Sequence, residues 1–222
     1  MRLPHKTLEK KLFAKGYRRI IAVDEVGMGS LAGPVVVCAV RFSKKFFQKR
    51  HKNLHWLRDS KLLTPHQRKV FVGELLKIKN LEFKIGYCFP KTIDRINIYQ
   101  AARLAMKRAI ARLILSSPPS GDLPQGDKFY VLNTIVLVDG KYKIKGLKLK
   151  QMPIIKGDRK IFSIACASLI AKVFRDKMMT RYGKRFPEYG FEKHKGYGTK
   201  FHRVMVVKHG RSPIHRISFR LT

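Results

Sequence analysis

Acidic side chains are scarce in this chain: 14 Asp and Glu stand against 49 Lys and Arg in 222 residues, a formal charge of +35. That balance excludes an acidic or neutral surface and makes a polyanion the expected partner. Tryptophan occurs once and cysteine three times. Three thiols, at 38, 88 and 166, are an odd number without a CxxC pair, which excludes a disulfide framework and zinc-finger spacing and fits buried thiols in a reducing compartment. No apolar run approaches the roughly 18–20 residues that span a bilayer. The start, MRLPHKTLEKKLFAKGYRR, lacks the apolar core of a secretory signal. A cytoplasmic protein without membrane contact is expected. There are no internal repeats and no heptads, so a monomer is the default expectation.

Hydrophobic residues make up 45%, enough for a packed core. The length suits a single domain over 1–222, with a core at about 18–180 and a C-terminal helical segment at about 181–222. Helix is expected over 8–16. The β-branched run at 18–24 and the stretch GPVVVCAVRF form an antiparallel pair across a glycine-rich connection. Thr64-Pro65 is an N-cap followed by a first-turn proline, opening a helix with Val70, Leu75 and Leu76 on its apolar face. LEFKIGYCF alternates like a strand, and TIDRINIYQAARLAMKRAIARLIL reads as one long helix. After a Pro/Gly/Ser loop come the strand ending in Asp139-Gly140, the short strand MPIIKGD, a small-residue helix from Arg159 to Tyr182, and a helix near 199–209.

In so basic a chain the few acids at strand ends stand out. Asp24 and Glu25 close the first strand, Asp139 closes another, and Asp158 lies at the mouth of a long helix. Loops at such places converge on one edge of an α/β sheet. Four carboxylates gathered there repel one another unless cations bind between them. An oxygen-only donor set suits Mg²⁺ or Mn²⁺ rather than zinc. Paired ions of this kind serve phosphodiester cleavage. Taken singly, Asp139-Gly140 also fits a plain turn and Asp158 a helix-start acid. The adjacent pair Asp24-Glu25 is the stronger signal, because burying it costs desolvation.

The motifs VDEVGMGSLAGPVV, DSKLL, NIYQAARLAM, VDG, KGDRKIFSIACASLIAKVFRD, YGFEKHKGYGT and SPIHRISF occur in one order from about Ile20 to Phe219. This series resembles the type 2 ribonucleases H, and most of all the bacterial ribonuclease HII branch. The resemblance implies a ribonuclease H-like α/β fold, a five-stranded mixed sheet flanked by helices with a C-terminal helical extension. It implies an endoribonuclease acting on RNA–DNA hybrids and on duplex DNA with single embedded ribonucleotides, cutting 5′ of the ribonucleotide to leave 3′-hydroxyl and 5′-phosphate ends. It places the metal ligands at Asp24, Glu25, Asp139 and Asp158, with Asp24 bridging two ions, Asp158 at the ion that activates water, and Glu25 and Asp139 at the other.

By the same resemblance, Gly27-Met28-Gly29 is the loop that reaches the ribose 2′-hydroxyl through backbone groups, the feature that separates RNA from DNA. The family's usual Gly-Arg-Gly is altered here, since Met28 replaces the arginine. The type 3 branch also lacks that arginine but carries an extra N-terminal domain, and fewer than two dozen residues precede Asp24; type 2 is therefore retained. Tyr197 matches the tyrosine that stacks near the RNA–DNA junction, although its spacing alone also fits a residue packed on a turn. Lys61 and Lys195 are expected phosphate contacts, and Lys172 either structural or phosphate-binding. His202 and His215 are expected to be structural hydrogen-bonding groups, and Asp176 to pair with a nearby cation. Two other readings remain: a basic RNA-binding module without catalysis, whose binding survives EDTA, and a resolvase- or integrase-like nuclease, which cuts all-DNA substrates.

Overall fold

The computed structural model describes residues 3–49, 51, 54, 63–79, 81–116 and 133–221. Five strands form one mixed sheet in the order β3-β2-β1-β4-β5: β1 (Arg19–Val26), β2 (Val35–Phe42), β3 (Leu81–Cys88), β4 (Thr134–Asp139) and β5 (Lys150–Ile154). The β1–β2 and β2–β3 pairs are antiparallel, whereas β4 joins β1 in parallel and β5 joins β4 in parallel. β1 is therefore central and buried on both faces, which explains its unbroken Ile20-Ile21-Ala22-Val23 run.

The period of two along β1 divides the core. Ile20 and Ala22 join one apolar cluster with β2, the N-terminal helices and the small-residue helix. Ile21 and Val23 join the other, against the helix that follows β3. The first layer holds α1 (Thr7–Ala14), α2 (Lys44–Gln48), α3 (Pro65–Leu76) and the 24-residue α6 (Phe162–Arg185); the second holds α4 (Pro90–Ile96) and α5 (Ile98–Leu115). In α6, Ala165, Ala167, Ala171 and Cys166 lie buried, and their small side chains let the helix axis approach the sheet. The chain continues through α7 (Phe191–His194) and α8 (Lys200–His209). Their third apolar cluster, built around Met179, Tyr189, Phe191 and Val206, incorporates Ala32 from the connection after β1.

Two expectations change. The stretch from Thr92 to Leu115 is not one helix: Asn97 adopts φ 62° and its side chain accepts from Gln100 N, ending α4 and capping α5. Asparagine tolerates this left-handed φ and competes for backbone donors, so local capping overrides continuous helical periodicity. In α3 the Thr64 cap is present, completed by a reciprocal bond between Thr64 N and Gln67. Of the three residues expected on its apolar face, only Leu75 is buried. Val70 and Leu76 are exposed, while Val72, Leu75 and the stem of Arg68 are buried. The three cysteines are buried and unbridged.

Candidate active site

Strand register brings the first acids together. Val23 of β1 pairs with Val138 of β4, so Asp24 and Asp139 leave neighbouring strands at the same level. Glu25, next along β1, points from the opposite sheet face. Asp158 sits in the single turn Gly157–Arg159 that joins β5 to α6, and Gly157 N donates to Asp139 Oδ1 at 2.6 Å. All four carboxylates line one cleft of about 670 Å³, together with Gly27, Met28, Gly29, Ser168, Lys172, Arg68 and Tyr197.

Asp24 is the electrostatic centre of this cleft. It is buried, and burial pushes its carboxyl well above the usual range, with Glu25 and then Asp139 adding like-charge repulsion. Ser168 and the Glu25 N–H, 2.8 Å from Asp24 Oδ1, offset part of that cost. A chain with so few acids has gathered four on one cleft. Among the described residues, no three His, Cys, Asp or Glu side chains close into a preformed metal cage. The four acids instead share the rim of the cleft. The donor set is oxygen only, desolvated and strongly anionic, and it fits hard divalent cations.

Two cations, Lys172 and Arg68, line the same cleft. Lys172 Nζ lies 2.7 Å from Asp176 Oδ1, and Arg68 reaches the same carboxylate at 3.6 Å. Asp176 thus pairs with its neighbours as expected, and Lys172 combines a structural ion pair with a place on the cleft wall. Tyr197 is 38% exposed, with the Arg175 guanidinium 5.5 Å from its ring centroid. Its backbone bridges to Ser30 beside the glycine loop.

Lys195 is not among the residues lining the cleft. Its ammonium donates to Thr180 Oγ1 at 2.9 Å and to the Glu192 carbonyl at 2.6 Å, and burial lowers its pKa. Lys61 and Ser60 lie outside the described residues.

The model of the family Ribonuclease HII matches residues 21–222. The Ribonuclease HII of Caldicellulosiruptor bescii is 44% identical over 212 residues, spanning 96% of this chain and 91% of that protein. The chain belongs to the ribonuclease HII family. It is accordingly an endoribonuclease, a hydrolase directed at RNA paired with DNA. The Ribonuclease HII of Chlorobium phaeobacteroides is 43% identical over 91% of this chain and 90% of its own.

Two solved structures show the same fold at lower identity. One is the PCNA:RNase HII complex from Archaeoglobus fulgidus, with TM-score 0.66 and 24% identity over 92% of this chain and 96% of that one. The other is Bst-RNase HIII in complex with Mn²⁺, with TM-score 0.69 and 16% identity over 95% of this chain and 70% of that one.

Three polar residues at or behind the cleft have no role read from the sequence. Ser168 and Arg68 line it, and Arg175 supports it from behind. Ser168 had a visible signal, being one helical turn before Lys172 on a helix otherwise lined with small residues. Arg68 had none, since one more arginine in so basic a chain is indistinguishable from solvated surface; Arg175 stands within the motif KGDRKIFSIACASLIAKVFRD, which marks its position but not its role.

Proposed function

We propose that this enzyme nicks duplex DNA on the 5′ side of a single embedded ribonucleotide, as well as cutting longer RNA–DNA hybrids, and leaves 3′-hydroxyl and 5′-phosphate ends. The observation that carries this reading is that four carboxylates and a glycine loop line the same cleft. Asp24, Glu25, Asp139 and Asp158 would hold two divalent cations, Mn²⁺ or Mg²⁺, which supply Lewis acidity for phosphodiester hydrolysis.

The remaining work falls to the protein. The Gly27-Met28-Gly29 backbone meets the ribose 2′-hydroxyl, with no Cβ at either glycine to hold the sugar away. Tyr197, partly exposed on the cleft wall, stacks on the nucleotide at the RNA–DNA junction. Lys172, on the cleft wall, would meet a phosphate, and Lys61 and Lys195 are proposed as further phosphate contacts. The surrounding positive field attracts any duplex, so discrimination falls to the loop rather than to overall affinity.

One gel tests the reading: a duplex with one ribonucleotide beside an all-DNA duplex of the same sequence, each with Mn²⁺, Mg²⁺ or EDTA. The expected result is a single nick at the ribonucleotide, dependent on metal. Cutting of the all-DNA duplex would favour the resolvase-like alternative, and binding without any cut would favour a non-catalytic RNA-binding module.

A further inference from the structure

Behind the glycine loop lie two arginines with almost no exposure, Arg175 at 0% and Arg216 at 1%. Among the described residues neither has a carboxylate at ion-pair distance. Their donors go to backbone carbonyls. Arg216 Nε donates to Gly33 O at 3.1 Å, Nη1 to Met28 O at 2.9 Å and Nη2 to Gly27 O at 2.6 Å. Arg175 donates to Pro34, Ala32 and Lys195 carbonyls at 3.0, 3.1 and 2.9 Å. Gly27, at φ +92°, has no room for a Cβ, which would fall on the Arg175 side chain. Two buried like charges with no carboxylate in direct contact are expensive, and burial followed by Arg175 pushes Arg216 down to about 9, with Asp94 opposing the shift. Hydrogen bonding by the guanidinium forks offsets that cost.

A trans peptide points its C=O and N–H in opposite directions. With the Gly27 and Met28 carbonyls committed to Arg216, the N–H groups of Met28 and Gly29 turn the other way. Consecutive N–H groups facing one side make a donor surface for an oxygen ligand. We infer that Arg216 is a positioning residue: by drawing two loop carbonyls back, it sets the Gly27-Met28-Gly29 backbone to present N–H donors to the ribonucleotide. It comes from a segment nearly 190 residues downstream, fixed where Arg216 N donates to Leu31 O at 2.8 Å and Asp94 accepts from Ile217 N and Ser218 N at 3.0 Å each. A lysine cannot replace it, because three donors on one nitrogen do not span three separated carbonyls as a planar fork does.

The inference rests on the ribonucleotide-nicking reading, and the experiment separates the two. Wild type and Arg216→Lys, with Mn²⁺, are measured for cleavage of the single-ribonucleotide duplex and for binding of the matched all-DNA duplex. The variant is expected to keep its circular dichroism spectrum at 25 °C and to bind the all-DNA duplex within about twofold, while its kcat/KM on the ribonucleotide duplex falls at least about tenfold, chiefly in kcat. Arg216→Ala is expected to regain activity when methylguanidinium is added. The inference is overturned by cleavage within about twofold of wild type, by parallel loss of all-DNA binding, by loss of the fold in Arg216→Lys, or by a folded Arg216→Ala that methylguanidinium fails to rescue. If wild type itself does not distinguish the duplexes, the nicking reading fails instead.

Discussion

Asp24 combines properties that conflict in a metal-free protein. It is 5% exposed, it faces Glu25 and Asp139, and its charged form is disfavoured by all of these. Replacing it with asparagine removes the repulsion together with the proposed ligand. Asp24→Asn should therefore abolish metal-dependent cutting while melting at or above the temperature of wild type in EDTA. Mn²⁺ should raise the melting temperature of wild type and no longer do so in the variant. Differential scanning fluorimetry with and without Mn²⁺ checks both. A variant that melts lower in EDTA and still responds to Mn²⁺ would remove Asp24 from the ligand set.

Helix and strand approach closely where α5 crosses β3. Gly86 there has no side chain, and a Cβ would overlap the Ala105 carbonyl of α5. Backbone cannot yield as a side-chain tip does. Gly86→Ala should cost about 1–3 kcal/mol, read as a lower urea midpoint at unchanged m-value.

In the C-terminal segment, His202 Nδ1 lies 2.9 Å from the Tyr197 carbonyl, which can only accept, so that nitrogen carries the proton. Neutral His202 then accepts at Nε2 from His215 Nε2, 3.0 Å away, and His215 Nδ1 accepts from Ser212 N at 2.9 Å. Burial pushes both imidazoles down to about 4, the neighbouring His202 adding to the shift at His215. A depressed folded pKa means that the unfolded chain takes up protons first. The stabilisation is complete above the ordinary value near 6.5 and is lost as pH falls from there towards about 4, a change of about 3 kcal/mol for each imidazole. Urea titrations at pH 7 and pH 5 should show this loss, and His215→Gln should reduce it.

Taken entire, the molecule carries a charge of +35, far beyond what one cleft requires. Duplex affinity should fall roughly a thousandfold between 50 and 200 mM salt if about six phosphates are neutralised. Met28→Arg adds a cation beside the cleft and should raise affinity at moderate salt and steepen that dependence. An unchanged slope, measured by fluorescence anisotropy, would show that position 28 does not meet the phosphates.

Much of this protein can be read along its chain. The β-branched runs, the Thr64-Pro65 cap, the acids at strand ends and the ordered motifs of ribonuclease HII are local patterns, and local patterns follow from backbone geometry and side-chain periodicity. Other features depend on what packs against what. The break at Asn97 required a cap to outcompete a helical period. The exposed Val70 and the buried Arg68 on α3 were settled by the neighbours of that helix. Above all, Arg175 and Arg216 stand inside two of the ordered motifs, yet by charge alone they are two more cations in a chain with 49. They become supports of the glycine loop only when the C-terminal segment folds back and removes them from water. Burial is a property of assembled neighbours, and no stretch of sequence carries it alone.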